Sequence, residues 1–205
     1  MVKDELKTTD LRKLGAGAEA GAARAAEALP GAAAAAGLLD VGYGFADSPF
    51  GPLLVAMTKK GLVWLAYPDR EPDEELEAIA REVSPRVMES TAATGEVRRE
   101  LDEYFDGRRR RFEVPVDLRI VRGFFLEVLK QTARIPFGHL VTYRDVAARA
   151  GSPRAMRAAG NALASNPIPI VVPCHRVIHT GGGLGGYTSG LDRKRALLRL
   201  EGALP

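Results

Sequence analysis

The stretch TYRDVAARAGSPRAMRAAGNALA, residues 142–164, predicts a helix–turn–helix. We expect its first helix over Tyr143–Ala150 and its second over Arg154–Ala164, because Gly151-Ser152-Pro153 between them combines three turn-forming residues. The proline also suits the first turn of a helix. Two hydroxyl side chains stand where the helices begin and are candidate N-caps: Thr142 and Ser152.

The second of these helices is basic and is built mainly of small residues. It carries Arg154 and Arg157, and its small residues include Ala155, Ala158, Ala159 and Gly160. Small side chains allow close approach, either to a neighbouring helix or to a DNA groove. Apart from Asp145, every acidic or basic side chain from Lys130 to Arg176 is basic or a histidine, which favours DNA. We therefore expect this helix to face DNA.

The 205-residue chain divides into two halves of opposite charge. Its net charge is only +3, but residues 1–107 hold 12 basic and 20 acidic side chains, whereas residues 108–205 hold 17 and 6. This asymmetry indicates that the second half faces a polyanion. The run Arg108–Arg111 is typical of a solvated linker face, with a nucleic-acid role as the alternative.

The chain contains one cysteine, Cys174. A lone cysteine forms no internal disulfide, so a reducing compartment fits best and we expect the protein in the cytoplasm. No metal site is expected, because this cysteine and three histidines are too few soft ligands for structural zinc. No membrane span is expected either, since the nearest candidate, residues 16–36, is largely alanine and contains charges and Pro30.

Three regions follow one another along the chain. Residues 1–40 are an alanine-rich extension, for which we expect short helical pieces or disorder. Residues 41–117 predict a supporting α/β domain with a small antiparallel sheet. Residues 118–205 predict a mainly helical, winged-helix-like domain that contains the helix–turn–helix and the reactive residues. The expected fold class is therefore α+β.

Short apolar runs between turn residues predict strands, and apolar residues at helical spacing predict helices. The expected strands form an antiparallel meander over Tyr43–Asp47, Leu53–Met57 and Leu62–Tyr67. The further expected helices are Glu71–Val83, Thr94–Phe105, Arg122–Thr132 and Asp192–Leu200.

A proline-rich approach leads from Asn166 to the single cysteine, which is followed by His175 and Arg176. A cysteine among aliphatic residues is normally an inert buried side chain. Here the prolines restrict the backbone, and a base and a fixed cation come next in sequence. Since a nearby histidine or positive charge activates a thiol, Cys174 is a candidate nucleophile.

A glycine-rich stretch, residues 181–190, precedes the last predicted helix. Gly181, Gly183 and Gly186 satisfy the pattern GxGxxG, but a dinucleotide site needs a strand and a helix joined directly by that turn. A loop that allows a ligand close to the backbone is the better interpretation. Glu201 follows the helix and, taken alone, is expected to be solvated.

Several motifs together resemble the signature of the O6-alkylguanine-DNA alkyltransferases, also called methylated-DNA–protein-cysteine methyltransferases. The resemblance covers most of residues 120–202 and continues more weakly upstream. The C-terminal motifs are Ile135-Pro136-Phe137-Gly138, Thr142-Tyr143, Asn166-Pro167, Pro173-Cys174-His175-Arg176-Val177-Ile178, Gly186-Tyr187-Thr188-Ser189-Gly190 and Glu201-Gly202. The weaker upstream motifs are Asp47-Ser48-Pro49-Phe50-Gly51-Pro52-Leu53 and Tyr104-Phe105-Asp106-Gly107.

The resemblance implies a reaction in which a cysteine takes the alkyl group from O6 of guanine in DNA and is not regenerated. Cys174 would be the acceptor, His175 would take its proton through a water, and Glu201 would orient the histidine. Because the product is a stable thioether, one molecule would repair one lesion. O4-alkylthymine is a possible second substrate.

The resemblance also assigns roles in binding. Arg157, on a helix in the minor groove, would fill the space of a flipped nucleotide, and Tyr143 would assist extrusion and protonate the leaving guanine. Asn166 would be a hinge beside the active site. The implied substrate pocket consists of Tyr187, Thr188, Val177 and Pro169. The implied partner is double-stranded DNA containing O6-alkylguanine, bound by a monomer without a cofactor.

Two other functions compete with repair. A DNA-binding module on the same scaffold would recognise lesions without repairing them, but its relatives lack the acceptor cysteine, which this chain has. A cysteine hydrolase using Cys174, His175 and Glu201 would turn over many times, yet it would leave the basic small-residue helix unexplained.

Overall fold

The computed structural model describes residue 25, residues 28–33 and residues 36–204. Residues 28–33 are helical. The remainder of the helical pieces or disorder expected within residues 1–40 lies outside the described residues, apart from the approach to the first strand.

A four-stranded sheet forms the first part of the fold. Its strands are β1 (Val41–Ala46), β2 (Leu53–Thr58), β3 (Gly61–Ala66) and β4 (Val87–Glu89), in the order β3-β2-β1-β4. The predicted antiparallel meander of the first three strands is confirmed. The short strand β4, which pairs in parallel with β1, was not predicted, because a parallel partner is set by the crossover before it rather than by its own three residues.

Two helices cover the opposite faces of this sheet. Helix α1 (Pro72–Glu82) buries Ile79 against one face, where Leu54 and Ala56 of β2 also point. Helix α2 (Thr91–Phe105) buries Val97, Leu101 and Tyr104 on the face that carries the alternate residues of β2. Since successive strand residues point to opposite sides, a strand covered on both faces is a continuous apolar run. The capping Ser90 side chain accepts a hydrogen bond from Ala93 N and starts α2 earlier than predicted.

The segment after α2 is not simply a solvated linker face. The Arg109 side chain is only 13% exposed, and its Nε donates to Glu103 at 2.8 Å. Glu100, on the same helix, is fully buried and accepts hydrogen bonds from the backbone N–H groups of Glu113 and Val114. The expectation of a solvated run is therefore wrong for Arg109, because these carboxylates hold the segment against α2.

The second part of the fold is mainly helical. It contains α3 (Gly123–Thr132), α4 (Tyr143–Arg149), α5 (Met156–Ala164) and α6 (Leu191–Leu200), with a short 3-10 helix over Cys174–Arg176. Strands β5 (Val141–Thr142) and β6 (Val177–Ile178) pair in parallel beside them. Together with the sheet, these helices confirm the expected α+β class.

Helices α4 and α5 form the predicted helix–turn–helix. Thr142 caps α4 in a capping box with Asp145, as its position predicted. Helix α5 begins at Met156, two residues later than expected. Ser152 does not cap it; instead its carbonyl accepts from Ala155 N in the preceding turn. Among the described residues, no helix is long and apolar enough to cross a membrane.

Candidate active site

The loop before Cys174 is organised by the side chain of Asn166. Its Nδ2 donates to the Val172 carbonyl at 2.8 Å and to Cys174 Sγ at 3.3 Å. Its Oδ1 accepts from Ile168 N at 3.0 Å. Asn166 thus binds both the loop backbone and the sulfur.

Two tight turns bring the loop to the cysteine. Ile170 has φ +72°, and Val171 N bonds to the Pro169 carbonyl across it, which defines a γ-turn. A β-branched residue with positive φ is strained by about 1–3 kcal/mol. A second γ-turn is centred on Pro173, across which Cys174 N bonds to the Val172 carbonyl. These turns fix the direction in which the 3-10 helix starts.

Cys174 is buried, with 7% of its surface exposed. Burial raises the pKa of its thiol, while the Asn166 hydrogen bond and the charge of Lys194 act in the opposite direction. Lys194 is itself fully buried, and its Nζ donates to the carbonyls of Val177 and Leu184. Burial lowers the pKa of Lys194 to about 8. A neutral thiol in this environment needs a base to become a nucleophile.

That base is available next to Cys174 in the chain. His175 is fully buried, and its Nε2 lies 2.9 Å from Glu201 Oε1. Burial lowers the pKa of His175, although Glu201 opposes this change. The imidazole is therefore neutral near pH 7. Its Nδ1 has no hydrogen-bond partner among the described residues, so this nitrogen remains able to accept a proton.

Glu201 is the centre of a buried polar network. The guanidinium of Arg176 donates to both of its oxygens at 2.8 Å, and the Tyr104 hydroxyl donates to Oε1 at 2.7 Å. Burial alone would raise the pKa of Glu201, but hydrogen bonds from His175 and Arg176 outweigh it and lower the pKa to about 2. The expectation of a solvated Glu201 is therefore wrong, because these partners compensate its burial.

The segment Ile135–Gly138 completes this network. Arg176 Nη1 donates to the Ile135 carbonyl at 2.5 Å, and Gly138 N donates to Glu201 Oε2 at 3.3 Å. Gly138 has φ +73°, and a Cβ at this position would lie 2.9 Å from the Glu201 carbonyl oxygen. Both the backbone conformation and the close approach require glycine here.

A cleft of about 1300 Å³ opens in front of the thiol. The predicted site residues that line it are Cys174, Tyr143, Asn166, Pro169, Tyr187, Thr188, Arg157 and Gly160. Tyr143 stacks beside His179 with ring centroids 5.1 Å apart, and its hydroxyl donates to the Gly186 carbonyl at 3.4 Å. Burial raises the pKa of Tyr143, and the nearby Cys174 adds to this effect. A protonated phenol therefore faces the cleft.

The structure separates the residues predicted to face DNA. Arg157 is exposed at the start of α5, whereas Ala155 and Ala158 are half-buried. Ala159 is fully buried in the core, so the expectation that its side chain faces DNA is wrong. Helical periodicity turns Ala159 inward, as it does Ala162.

Val177 is also placed differently from the expectation. It is fully buried in β6, its register partner is Val141, and it does not line the cleft. The expected pocket role is therefore wrong for Val177. Because its side chain packs into the core, only its carbonyl contributes near the site, as an acceptor for Lys194.

Sequence reasoning missed three members of the site. Tyr104 belongs to an upstream motif, but its contact with Glu201 joins residues separated by 97 positions. Lys194 lies within the predicted helix Asp192–Leu200, but nothing in the sequence distinguishes it from the other charged residues there. Arg176 was noted as a cation beside the thiol, yet its guanidinium binds Glu201. A buried arginine and lysine have no reliable local signal, because their partners come from distant segments.

The fold and the site define a class of protein in which a buried cysteine, histidine and glutamate adjoin a helix–turn–helix. Two family descriptions match the chain and identify the family. "6-O-methylguanine DNA methyltransferase, ribonuclease-like domain" matches residues 41–118, and "6-O-methylguanine DNA methyltransferase, DNA binding domain" matches residues 123–203. The chain belongs to the 6-O-methylguanine DNA methyltransferase family. It is a methyltransferase of DNA alkyl-damage repair.

Individual relatives agree with this assignment. The chain is 39% identical over 163 residues to a methylated-DNA–protein-cysteine methyltransferase of Methanosarcina barkeri, which covers 78% of this chain and 96% of the relative. The crystal structure of the Mycobacterium tuberculosis O6-methylguanine methyltransferase is similar, with 38% identity, a TM-score of 0.67 and coverage of 80% of this chain and 95% of the other. A structure of the same organism's OGT protein in complex with DNA has 37% identity, a TM-score of 0.67 and coverage of 78% and 91%.

Proposed function

We propose that this methyltransferase moves the alkyl group of O6-alkylguanine in double-stranded DNA irreversibly onto Cys174. The observation that carries the proposal is a single thiol at the wall of a cleft, held by Asn166 and followed by the His175–Glu201 pair. The proposal extends to O4-alkylthymine, whose alkyl group is likewise bonded to a base oxygen. The same triad geometry would serve a hydrolase, so the fate of the sulfur distinguishes the two functions.

The chemistry balances without a cofactor or metal. His175 accepts the Cys174 proton through a water at Nδ1, and Glu201 stabilises the imidazolium through Nε2. The thiolate attacks the alkyl carbon, so that an S–C bond forms while the C–O6 bond breaks. Tyr143 gives a proton to the departing guanine and regains one from solvent. Because the product is a thioether rather than a thioester, water does not regenerate the thiol.

The DNA face is proposed to lie along α5. Exposed Arg157 and Met156 stand at its start, next to the cleft that leads to Cys174. The target carbon lies inside stacked DNA, so the nucleotide must be flipped out to meet the thiol. We assign α5 to the minor groove and Arg157 to the space that the flipped nucleotide leaves. The similar Mycobacterium tuberculosis structure in complex with DNA supports a DNA partner.

The proposal also assigns a separate role to each of three regions of the chain. We assign DNA binding and catalysis to residues 118–205 and a supporting role to residues 41–117, with residues 1–40 as an extension. We further propose a monomer that acts in the cytoplasm. A single thiol consumed by alkylation must stay reduced until it meets a lesion, and a reducing compartment provides this.

The decisive experiment measures how many methyl groups are transferred to Cys174. The protein is mixed with excess duplex DNA containing O6-methylguanine, and peptides are then analysed by mass spectrometry. We expect at most one methyl group per molecule, located on the peptide that contains Cys174, and no transfer in Cys174→Ser. Sustained turnover would favour a hydrolase and contradict the proposal, as would full activity of Cys174→Ser.

A second experiment tests the role of Arg157. Arg157→Ala should slow methyl transfer from duplex DNA by about 10- to 100-fold, because the unstacking of a nucleotide costs a few kcal/mol and the inserted side chain offsets part of it. Its reaction with free O6-benzylguanine should change by less than about twofold. Arg81→Ala removes an exposed arginine on α1 and serves as the matched control. Equal losses on both substrates would refute the assigned role.

A further inference from the structure

Tyr67, a residue of the first, sheet-containing part of the fold, lines the cleft in front of Cys174. Tyr67 follows β3 directly and is buried, with 5% of its surface exposed. Its hydroxyl lies 3.0 Å from the hydroxyl of Tyr187, and the two rings meet edge to face at 6.4 Å. Tyr187 belongs to the glycine-rich loop, and both tyrosines line the cleft that contains Cys174.

Tyr67 is itself held from several sides. The guanidinium of Arg193, on α6, lies 4.7 Å above its ring. The same guanidinium bonds to Asp69 Oδ2 at 2.5 Å, so its position over the ring is fixed by a residue two positions beyond Tyr67. Phe50 packs edge to face against the ring at 5.9 Å. The Tyr67 hydroxyl is therefore a fixed point to which Tyr187 can be anchored.

The loop that carries Tyr187 depends on such anchors. Glycines at 181, 182, 183, 185 and 186 give its backbone many accessible conformations. Thr188 Oγ1 donates to the Ala164 carbonyl, and the Tyr143 hydroxyl donates to the Gly186 carbonyl at a longer distance of 3.4 Å. Both of those contacts come from the helix–turn–helix. The contact with Tyr67 comes instead from the sheet-containing part of the fold.

We propose that Tyr67 is a positioning residue that sets the size of alkyl group the site accepts. It holds the Tyr187 ring as a wall of the pocket in front of Cys174. A methyl group reacts with the wall in place, whereas a bulky group requires Tyr187 to move and the hydroxyl pair to break. This inference rests on the proposed transfer to Cys174, and it assigns the substrate preference of that site to the sheet-containing part of the fold.

The test compares two substrates in one DNA context. Duplexes of identical sequence carry either O6-methylguanine or O6-benzylguanine at the same position, and single-turnover rates of alkylation at Cys174 are measured. In Tyr67→Phe the ring remains under Arg193 but the hydroxyl bond is lost. We expect the benzyl rate to rise about threefold to tenfold, the range that one neutral hydrogen bond is worth, and the methyl rate to change less than about twofold.

Two further variants make the result specific. Tyr187→Phe removes the other hydroxyl and should change the benzyl-to-methyl ratio to a similar extent, while the double variant should exceed neither single variant, since both break one bond. Tyr43→Phe removes a hydroxyl from β1, on a tyrosine that does not line the cleft, and should leave the ratio unchanged.

Three outcomes separate the inference from the function on which it rests. A benzyl-to-methyl ratio in Tyr67→Phe equal to that of wild type would overturn the role of Tyr67 while leaving transfer to Cys174 intact. Additive effects of the two tyrosine variants would also overturn it, because they would exclude a shared bond. Absence of any alkyl group on Cys174 in the wild-type protein would refute the proposed function itself.

Discussion

Two buried glutamates show how differently the parts of this molecule use polar groups. In the sheet half, residues 41–118, Glu100 accepts the backbone N–H groups of Glu113 and Val114 and pairs with Arg109 at 3.5 Å. In the site half, residues 123–204, Glu201 is bonded to the side chains of His175 and Arg176. The first carboxylate fastens a connecting segment to a helix, whereas the second binds a buried histidine and a buried arginine beside the thiol.

The same contrast holds for buried basic side chains. The site half buries His175, Arg176 and Lys194, each with a hydrogen-bond partner in the chain. Burying ionisable groups is costly unless they are paired, so their concentration around one thiol indicates a functional centre rather than a stable core. In the sheet half, by contrast, packing of aliphatic side chains on both faces of the sheet accounts for most of the interior.

The largest effect is predicted for replacing the two glutamates, Glu201 and Glu100, by glutamine. Glu201→Gln should slow alkylation of Cys174 at least about 100-fold, because His175 loses its charged partner, and should lower the free energy of unfolding by about 3–5 kcal/mol. The matched Glu100→Gln should lower the free energy of unfolding by about 1–3 kcal/mol and leave the rate of the folded protein within about twofold.

Urea unfolding and single-turnover rates measure these two quantities on the same preparations. Rates are compared well below the urea midpoint of each variant, so that unfolded protein does not contribute. A rate in Glu100→Gln as low as that in Glu201→Gln would remove the distinction between the two carboxylates.

Acid should lower the free energy of unfolding because it protonates Glu201 in the site half. The pKa of Glu201 falls from an ordinary 4.5 to about 2 in the folded protein. The contribution of its ionised carboxylate to the free energy of unfolding is therefore complete above about pH 5 and is lost as the pH falls towards 2. That contribution is about 3 kcal/mol in all, of which about 2 kcal/mol should be gone at about pH 3. The lowered pKa of His175 acts in the same direction, since protonation favours the unfolded chain below about pH 6.5.

The control for this prediction is Glu201→Gln. The difference in the free energy of unfolding between wild type and this variant should shrink by about 2 kcal/mol between about pH 7 and about pH 3. A constant difference over this range would show that the carboxylate does not carry the acid sensitivity.

The smallest effect compares one glycine from each half. Gly138→Ala should lower the free energy of unfolding by about 1–2 kcal/mol, because φ is +73° and the new Cβ would lie 2.9 Å from the Glu201 carbonyl oxygen. Gly95→Ala should raise the free energy of unfolding by about 0.5–1 kcal/mol, because it lies within α2 and its new Cβ would meet no atom of the described residues within 4 Å. Thermal unfolding of both variants checks the two signs, and a shift of the same sign in both would contradict the prediction.

The sequence predicted most of the regular structure because its signals are local. Turn residues delimit the meander, and Thr142 with Asp145 starts the first helix of the helix–turn–helix. Strand β4 was not predicted because its pairing depends on the position of β1. The start of α5 was misplaced because Ser152, a good capping residue, uses its carbonyl rather than its side chain in the turn.

Within the site, local reasoning singled out Cys174 as the candidate nucleophile but did not predict all of its surroundings. Cys174, His175 and Asn166 lie within nine residues of one another, and their spacing is itself informative. The inward side chains of Ala159 and Val177 could not be identified from the sequence, because composition does not specify which face of an element meets the core.

By itself, the sequence determined the order of the elements, the basic character of the second half and the one thiol available for reaction. These are properties of residues and of short-range periodicity. The tertiary structure decided that Arg176 binds Glu201, that Tyr104 joins them and that the Tyr67 hydroxyl meets that of Tyr187. Such pairs join residues separated by 25 to 120 positions, so only the tertiary packing of distant segments brings them into contact.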